Sequence, residues 1–521
     1  MAIRREITQT SIMKVFGRRK LPVLIVFSFV GLLLSTILGV FVAPRRSNGQ
    51  QILGTACLDS LDDNGTFSGA DEWFYTWPTR NCKDVNTHQI TNESQQIVYT
   101  FVMPLSKDQK SSHYSRWHHS LTGILHIDIF HWGRRVVPHT VPVKIDARLA
   151  SRNKNEPENE WTTYASSVIK RKLDCNIERP QMDHERKCDP LLLFELGSVF
   201  HDYYLLNIRL LDGPIVGNVT DLWLTTLNQD ARFMKVWLVL KGVSFLLTFI
   251  TLCWYCTRIR MLHRSTTVLE SMLLSLGFAL CILNLPFEYL DLLFNVVYML
   301  LLEDIKQGIF YTLLFSFWVV LVGEHFMVDE DETCFRSYWR YLTAVVVVGI
   351  ILVLFDILEQ ETKLLSPFYT IWSSEFGAML AVSFVTVISV LAGIYLLFLF
   401  YETWEVSMNI DTKTPVIPNA SIDQSSHNEA AIYRLKLLMI ATLICASVTA
   451  VSFILELIGR SQKKWDTDMY FSMSSGFLIG IYGMWNIYYI ALLCVYAPSY
   501  EPSPLELSSV INFRKDSMFS K

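Results

Sequence analysis

The sequence predicts a membrane α-helical bundle of eight transmembrane helices, one N-terminal and seven clustered, with an all-β sandwich domain inserted after the first. Three observations lead there. The 521-residue chain is 51% hydrophobic and only 18% charged, outside the usual range for soluble globular proteins. Apolar runs recur along it, each long enough or nearly long enough to cross a hydrocarbon core roughly 30 Å thick. One long polar region, Pro44 to Ala231, alternates apolar and polar residues with the period of a strand.

The apolar runs fall at Leu21–Val42, Val236–Tyr255, Val268–Phe287, Gln307–Val322, Leu342–Leu358, Phe376–Phe400, Leu435–Leu457 and Phe471–Val495. Orientation follows from the basic residues. The N-terminal tail holds Arg4, Arg5, Lys14, Arg18, Arg19 and Lys20 against Glu6, which places it in the cytosol by the positive-inside rule. The loop Thr257–Thr267, with Arg258, Arg260 and Arg264, agrees, and an even number of crossings returns the C-terminal tail to the cytosol. The first run is longer than the roughly 7–15 residues of a signal-peptide core, so it reads as a retained signal anchor. The chain thus divides into a cytosolic tail (1–20), the first helix (21–42), a lumenal domain (43–234), seven helices (235–495) and a second cytosolic tail (496–521).

The lumenal region carries its own marks of an oxidising, glycosylating compartment. Asn64, Asn92 and Asn218 stand in acceptor sequons, whereas Asn419 falls on the cytosolic side, where it goes unused. Cys57, Cys82, Cys175 and Cys188 are the cysteines of this region. Proximity favours Cys57–Cys82 and Cys175–Cys188 disulfides, although four cysteines allow three connectivities. Strands are expected at Ile97–Val102, Leu121–Phe130, Val141–Leu149, Trp161–Ile169, Tyr203–Leu211 and Ile215–Leu227. In the third, Val141, Val143, Ile145, Ala147 and Leu149 share one face and Lys144, Asp146 and Arg148 the other, the mark of an antiparallel sheet with one wet side. Ser151–Glu160 reads as an exposed loop. His113, His118, His119, His126, His131 and His139 crowd one stretch. They are either sensors of lumenal acidification or residues of a solvated strand face; their spacing matches no zinc pattern.

In the membrane region, Asn284, Glu288, Asp291, Glu324, His325, Asp356, Glu375 and Asn486 lie in or near helices, where a polar group tends to be paired or functional. Asn284 and Asn486 suit interhelical packing hydrogen bonds; Glu324 and His325 sit at the expected cytosolic boundary. Aromatic residues crowd the run after Gln307 and the last run, and read either as helix packing or as the lining of an apolar cavity. The seven clustered helices raise a receptor reading, a GPCR-like arrangement. The rhodopsin-type triplet is missing, however, and Asn486-Ile-Tyr-Tyr489 lacks the proline of the usual last-helix motif. Neither paired mid-membrane charges nor two similar halves mark a transporter. No nucleophile motif, phosphate loop or metal spacing occurs, so the chain reads as neither an enzyme nor a cofactor protein.

Several long segments carry a resemblance: FELGSVFHDYYLLNIRL at Phe194–Leu210, KVWLVLK at Lys235–Lys241, NLPFEY at Asn284–Tyr289, the run Glu303–Phe326, SPFYTIW at Ser366–Trp372 and GIYGMWNIYYIALLCVYAPS at Gly480–Ser499. With these the chain resembles the Wntless family. The resemblance implies a cargo receptor that binds palmitoleoylated Wnt proteins, grips the protein with the lumenal domain and shelters the acyl chain among the helices. It implies passage through the endoplasmic reticulum, Golgi, plasma membrane and endosomes, with membrane lipids and the endosome-to-Golgi sorting machinery as further partners. Phe310, Tyr311, Phe315, Trp318, Phe368, Tyr369, Trp372, Tyr482, Trp485 and Tyr489 are then the candidates for the acyl cavity or its mouth. In one place the chain departs from the family. The tyrosine-based endocytic signal Tyr-Glu-Gly-Leu is replaced by His427-Asn-Glu-Ala-Ala-Ile432, and Tyr433-Arg-Leu-Lys436 lacks the bulky apolar fourth residue of such a signal. A seven-helix signalling receptor with a glycosylated ectodomain, or a small-molecule transporter, are the alternative functions.

Overall fold

The computed structural model describes residues 20–39, 44, 47–60, 95–104, 113–130, 140–158, 160–174, 185–211, 219–261, 266–294, 296, 298–326, 334–369, 371, 374–412, 440–449, 451 and 468–497. A first helix, α1 (Lys20–Ile37), is followed by ten strands: β1 (Ser47–Leu53), β2 (Thr55–Ser60), β3 (Gln95–Met103), β4 (Leu121–Phe130), β5 (Thr140–Arg152), β6 (Thr162–Asp174), β7 (Glu185–Lys187), β8 (Leu191–Leu196), β9 (Tyr203–Leu211) and β10 (Val219–Gln229). They form two antiparallel sheets. One runs β1-β10-β4-β7, with β8 also paired to β4, and the other β2-β3-β9-β5-β6. The chain changes sheet at Gly54, whose amide bonds the Leu222 carbonyl at 2.8 Å.

Burial of alternate side chains closes the two sheets over one core. Val143, Ile145, Ala147 and Leu149 of β5 are buried while Lys144 is exposed, the alternation the sequence displays. Phe101, Leu125, Leu206 and Leu224 meet these from the neighbouring strands. Strand β8 shows no such alternation, because Leu191, Leu193, Phe194 and Leu196 are all buried. Cys57 and Cys188 are each in a disulfide, with partners outside the described residues; so Cys82 and Cys175, and the sequon residues Asn64, Asn92 and Asn218, are not placed. The loop expected at Ser151–Glu160 begins later, because Ser151 and Arg152 still pair within β5 and Ser151 is buried; the β5–β6 connection that follows is pinned by the Asn153 amide to Glu156 Oε2 at 2.8 Å.

The helices that follow are α2 (Ala231–Arg260), α3 (Val268–Asn284), α4 (Glu288–Leu293), α5 (Met299–Phe326), α6 (Cys334–Leu365), α7 (Glu375–Thr412), α8 (Ile440–Thr449) and α9 (Asp468–Tyr496). Asp230 joins β10 directly to α2 and caps it, accepting from the Arg232 amide at 2.8 Å. Thr267 and Glu270 form a reciprocal cap at the start of α3. Two boundaries differ from the sequence reading. The run Val268–Phe287 breaks after Asn284, since Pro286 donates no amide hydrogen and disfavours helix at Leu285. The run taken to begin at Gln307 starts its helix at Met299, carrying Glu303, Asp304 and Lys306 inside it. Among the described residues six helices are long and apolar enough to cross a membrane, and the shorter apolar segments Val26–Ser35 and Ile440–Thr449 stand where the first and seventh spans are expected.

Helix α1 lies against α9 through small residues. A Cβ on Gly39 would fall 2.8 Å from the Gly476 Cα, and one on Gly483 would fall 2.6 Å from the Ser35 Cβ. Gly31, Ser35 and Gly39 recur every four residues, so one face of α1 admits close backbone approach, as in small-xxx-small helix pairs. The sandwich is fastened to the helices at two places. The segment before β4 meets α2 and α4: Lys235 Nζ lies 5.2 Å from the Trp117 ring, and Arg116 donates to the Leu292 carbonyl at 3.5 Å. On the other side the α6–α7 loop inserts Phe368 into the sandwich core.

That insertion is specified by both backbone and side chains. The Glu195 amide donates to the Pro367 carbonyl at 2.9 Å, Arg171 donates to the Phe368 carbonyl at 2.9 Å, and Lys363 pairs with Glu195 at 3.3 Å. The Phe368 ring, 2% exposed, meets Phe194 edge-on at 6.4 Å. Phe368→Ala should therefore lower stability by about 3 kcal/mol, the cost of an emptied aromatic site, read as a fall in the denaturation midpoint. Tyr369→Ala, at an exposed neighbour, should cost well under half as much.

Burial also sets a pH dependence. It pushes the imidazoles of His118 and His201 below the ordinary histidine range, opposed by the Ser115 carbonyl and Asp230 at His118 and by Glu156 and Asp202 at His201. Near the ordinary value of about 6.5 the folded state thus binds fewer protons than the unfolded chain. The stabilisation is complete above that pH and is lost as pH falls through it. The thermal midpoint of the sandwich should drop between pH 7 and pH 5.5, and the H118Q/H201Q variant should show a shallower drop; equal slopes would contradict this origin.

Candidate functional site

Beneath the sandwich the helices are held by three layers of contacts, the first two built from polar residues that an apolar span would ordinarily exclude. The uppermost is ionic. Lys241 of α2, Glu288 and Asp291 of α4 and Lys306 of α5 are all buried. Lys241 Nζ donates to Glu288 Oε1 and, at 2.5 Å, to Glu303 Oε1, and it stands 5.3 Å from the Trp237 ring. Lys306 Nζ lies 4.7 Å from the Phe287 ring. His119, from the segment before β4, approaches Asp291 Oδ2 at 3.5 Å, so the cluster spans the junction of sandwich and bundle. A charge buried in this setting is costly unless paired, and the pairing fixes α2, α4 and the start of α5 relative to one another.

The second layer is a hydrogen-bonded ladder across α2, α3 and α9. Asn284 Nδ2 donates to Asn486 Oδ1 at 2.6 Å and lies 3.3 Å from Thr248 Oγ1. Tyr482 Oη donates to Asn284 Oδ1 at 2.6 Å, and Asn486 Nδ2 to the Tyr482 carbonyl at 2.9 Å. The Tyr482 ring rests 4.9 Å from Trp237. The third layer is aromatic. Trp485 faces Phe310 at 6.2 Å and Trp318 at 5.8 Å, Phe315 faces Trp318 at 5.4 Å, and Tyr311 stacks near Phe315 at 6.3 Å. Trp318 Nε1 donates to Tyr488 Oη at 3.2 Å. Tyr489 enters the space left by Gly277, where a Cβ would sit 1.7 Å from its hydroxyl, and bonds the Leu273 carbonyl at 3.2 Å.

Of the candidates for the acyl cavity, Phe310, Tyr311, Phe315, Trp318 and Trp485 thus come together between α5 and α9, ring against ring, whereas Tyr482 turns to Trp237 and Asn284 and Tyr489 to Gly277 and Leu273 of α3. Phe368 sits elsewhere, in the sandwich core, and Tyr369 beside it is exposed. Trp372 lies outside the described residues, as do the Glu324, His325 and Glu375 side chains, His131, His139 and the segment 427–436. Asn284 and Asn486 bond each other. Lys241, Glu303 and Lys306 were not singled out in the sequence. Their signal is Lys241 itself, a single cation interrupting the run Val236–Tyr255.

Outside this closed half, α6 and α7 stand apart. Both pack on α5: Gln360 of α6 donates to Asp304 at 2.9 Å, and Tyr395 of α7 donates to the Phe315 carbonyl at 2.8 Å. Yet their own backbones run apart from each other. Ring pairs bridge the gap, Phe355 on Phe384 at 4.3 Å and Tyr341 on Phe398 at 5.4 Å. Within each helix the bridging residues are four turns apart, and positions three, four or seven residues from a bridging ring fall near its face. These include Ile351 and Leu358 on α6 and Leu380, Val387, Leu391 and Ile394 on α7, all exposed.

The ionic layer makes a sharp expectation. Lys241→Met leaves Glu288 and Glu303 without their shared cation and should cost about 3–5 kcal/mol, read as loss of folded protein or a lowered melting temperature. The triple variant K241M/E288L/E303L should recover much of that stability; a variant no better than K241M would contradict charge pairing as the organising contact.

Residues 230–500 match the family model described as Wntless-like, transmembrane domain, and residues 55–229 the one described as Wntless, GOLD domain. The chain is 40% identical over 511 residues to the protein named wntless of Drosophila mojavensis, covering 95% of this chain and 90% of the relative. The wntless proteins of Drosophila virilis and Drosophila erecta are each 39% identical with the same coverage. Two models that divide the chain where the sandwich meets α2, together with relatives matched over nearly its whole length, place this chain in the Wntless family.

Proposed function

We propose that this protein is a Wnt secretion carrier that binds palmitoleoylated Wnt and shelters the acyl chain between α6 and α7, the sandwich holding the protein part. The observation that carries the proposal is the divergence of those two helices, which are bridged by Phe355 and Phe384 and carry exposed aliphatic side chains near the bridging faces. The aromatic layer supplies its back wall, since Phe315 touches Tyr395 of α7 at 5.3 Å. Family membership supplies the cargo class.

The energetics suit a transferable cargo. Removing an acyl chain from water gains about 0.8 kcal/mol per CH₂, so the lumen is closed to a free chain. A single chain anchors a protein to a bilayer only marginally and reversibly. A lateral groove open to lipid therefore exchanges one apolar surrounding for another, and the net preference is set by protein–protein contacts with the sandwich. The loop that carries Phe368 links the mouth of the gap to that domain, so cargo gripped by the sandwich lies above the groove. Such a carrier would load in the endoplasmic reticulum and pass through the Golgi to the plasma membrane and endosomes.

Co-immunoprecipitation from secreting cells tests the reading. Wild-type Wnt should be recovered, and Wnt whose acylated serine is replaced by alanine should be recovered at least tenfold less. A thiol crosslinker applied before loading to the F355C/F384C variant should close the gap and abolish recovery, while the same crosslinker on F355C alone should not. Equal recovery of both cargoes would overturn the lipid-dependent mechanism.

A further inference from the structure

Cys253 and Cys256 lie one turn apart near the end of α2 farthest from the sandwich, both as free thiols. Cys253 is exposed and Cys256 half-buried, whereas Cys281 and Cys445 are buried within the bundle. Their depth is marked independently of the thiols. Trp254 is 37% exposed, and the Arg258 guanidinium stands 5.8 Å from its ring. An indole with a cation folded over it is what a helix presents at the membrane–water boundary, where aromatic rings and basic side chains gather. The face approaching this point is apolar and outward: Leu246, Leu247 and Ile250 are all exposed. Arg260 follows Cys256 by one turn on the same side of the helix. The two thiols are therefore at the boundary, outward-facing, free, and flanked by cations on the arginine-rich side read as cytosolic.

We propose that Cys253 and Cys256 are sites of reversible S-acylation, taking a long-chain acyl group from acyl-coenzyme A. The cysteine sulfur attacks the thioester carbonyl. A new carbon–sulfur bond forms, the bond to coenzyme A breaks, and the leaving thiolate takes up the proton given up by the cysteine. No oxidant or reductant enters. Juxtamembrane cysteines are the usual acceptors of this group, and the outward face of α2 lets the added chain lie alongside Leu246, Leu247 and Ile250 in the lipid. The site is remote from the α6–α7 gap and does not depend on the carrier reading; it rests only on the cytosolic orientation of the Thr257–Thr267 loop.

The test is acyl–polyethylene-glycol exchange on the full-length protein taken from cell membranes. Free thiols are blocked, thioesters are cleaved with hydroxylamine, and the exposed thiols are tagged. Hydroxylamine should produce a tagged band that disappears in C253S/C256S and persists in C281S and C445S. Surface-delivered C253S/C256S shows that the variant folds. No hydroxylamine-dependent tag on the wild type, or a tag unchanged in C253S/C256S, overturns the proposal.

Discussion

Lys241 is 1% exposed in a helix that crosses lipid, and the structure around it follows from the need to pair that charge. Two carboxylates from two other helical segments converge on it, Glu288 and Glu303. The break at Leu285-Pro286 turns the chain so that α4 points Glu288 inward, and the early start of α5 supplies Glu303. His119 against Asp291 extends the same cluster to the sandwich, so one electrostatic constraint sets both the helix arrangement and the seat of the soluble domain upon it.

That constraint leaves the molecule unevenly braced. The half containing α2, α3, α4, α5 and α9 is joined by ion pairs, the Asn284–Asn486 ladder and interlocked rings, and α1 adds its small-residue face to α9. Helices α6 and α7 have fewer such ties. Each is attached to α5, and the loop between them is anchored away from the bundle by Phe368 in the sandwich core. The connecting loop is drawn up into the sandwich, and among the described residues the ring pairs Phe355–Phe384 and Tyr341–Phe398 bridge the two consecutive helices.

How much of this is readable in the residues depends on whether a signal is local. The alternation in Val141–Leu149 announces β5 because one of its faces is wet. Strand β8 hides, since both of its faces are covered and its run of Leu191–Leu193 lacks a period. The helices are legible as apolar runs, and Asn284 and Asn486 stand out as polar residues in them. The expected span begins at Gln307, after Glu303 and Lys306, because a charge usually marks water. Here they are inside the helix: Glu303 pairs with Lys241, 62 positions away, and Lys306 lies over the Phe287 ring of the segment before α4, contacts that no local window reveals. Phe368 was a candidate for the cavity or its mouth through the family resemblance; its burial depends on Phe194 and Arg171, which only the fold brings beside it. The aromatic residues of α5 and α9 stand out in the sequence as crowded runs, but the α6–α7 gap arises from backbone divergence and has no sequence pattern.

The central claim is that an acyl chain lies between α6 and α7, and mapping its contacts tests that most directly. Wnt metabolically loaded with a palmitoleate analogue bearing a diazirine near its end would be bound to this protein, irradiated and digested, and the modified residues identified. The account predicts adducts concentrated at Ile351 and Leu358 of α6 and at Leu380, Val387, Leu391 and Ile394 of α7. Adducts confined to the sandwich, or to the closed interface of α2 and α3, would contradict it.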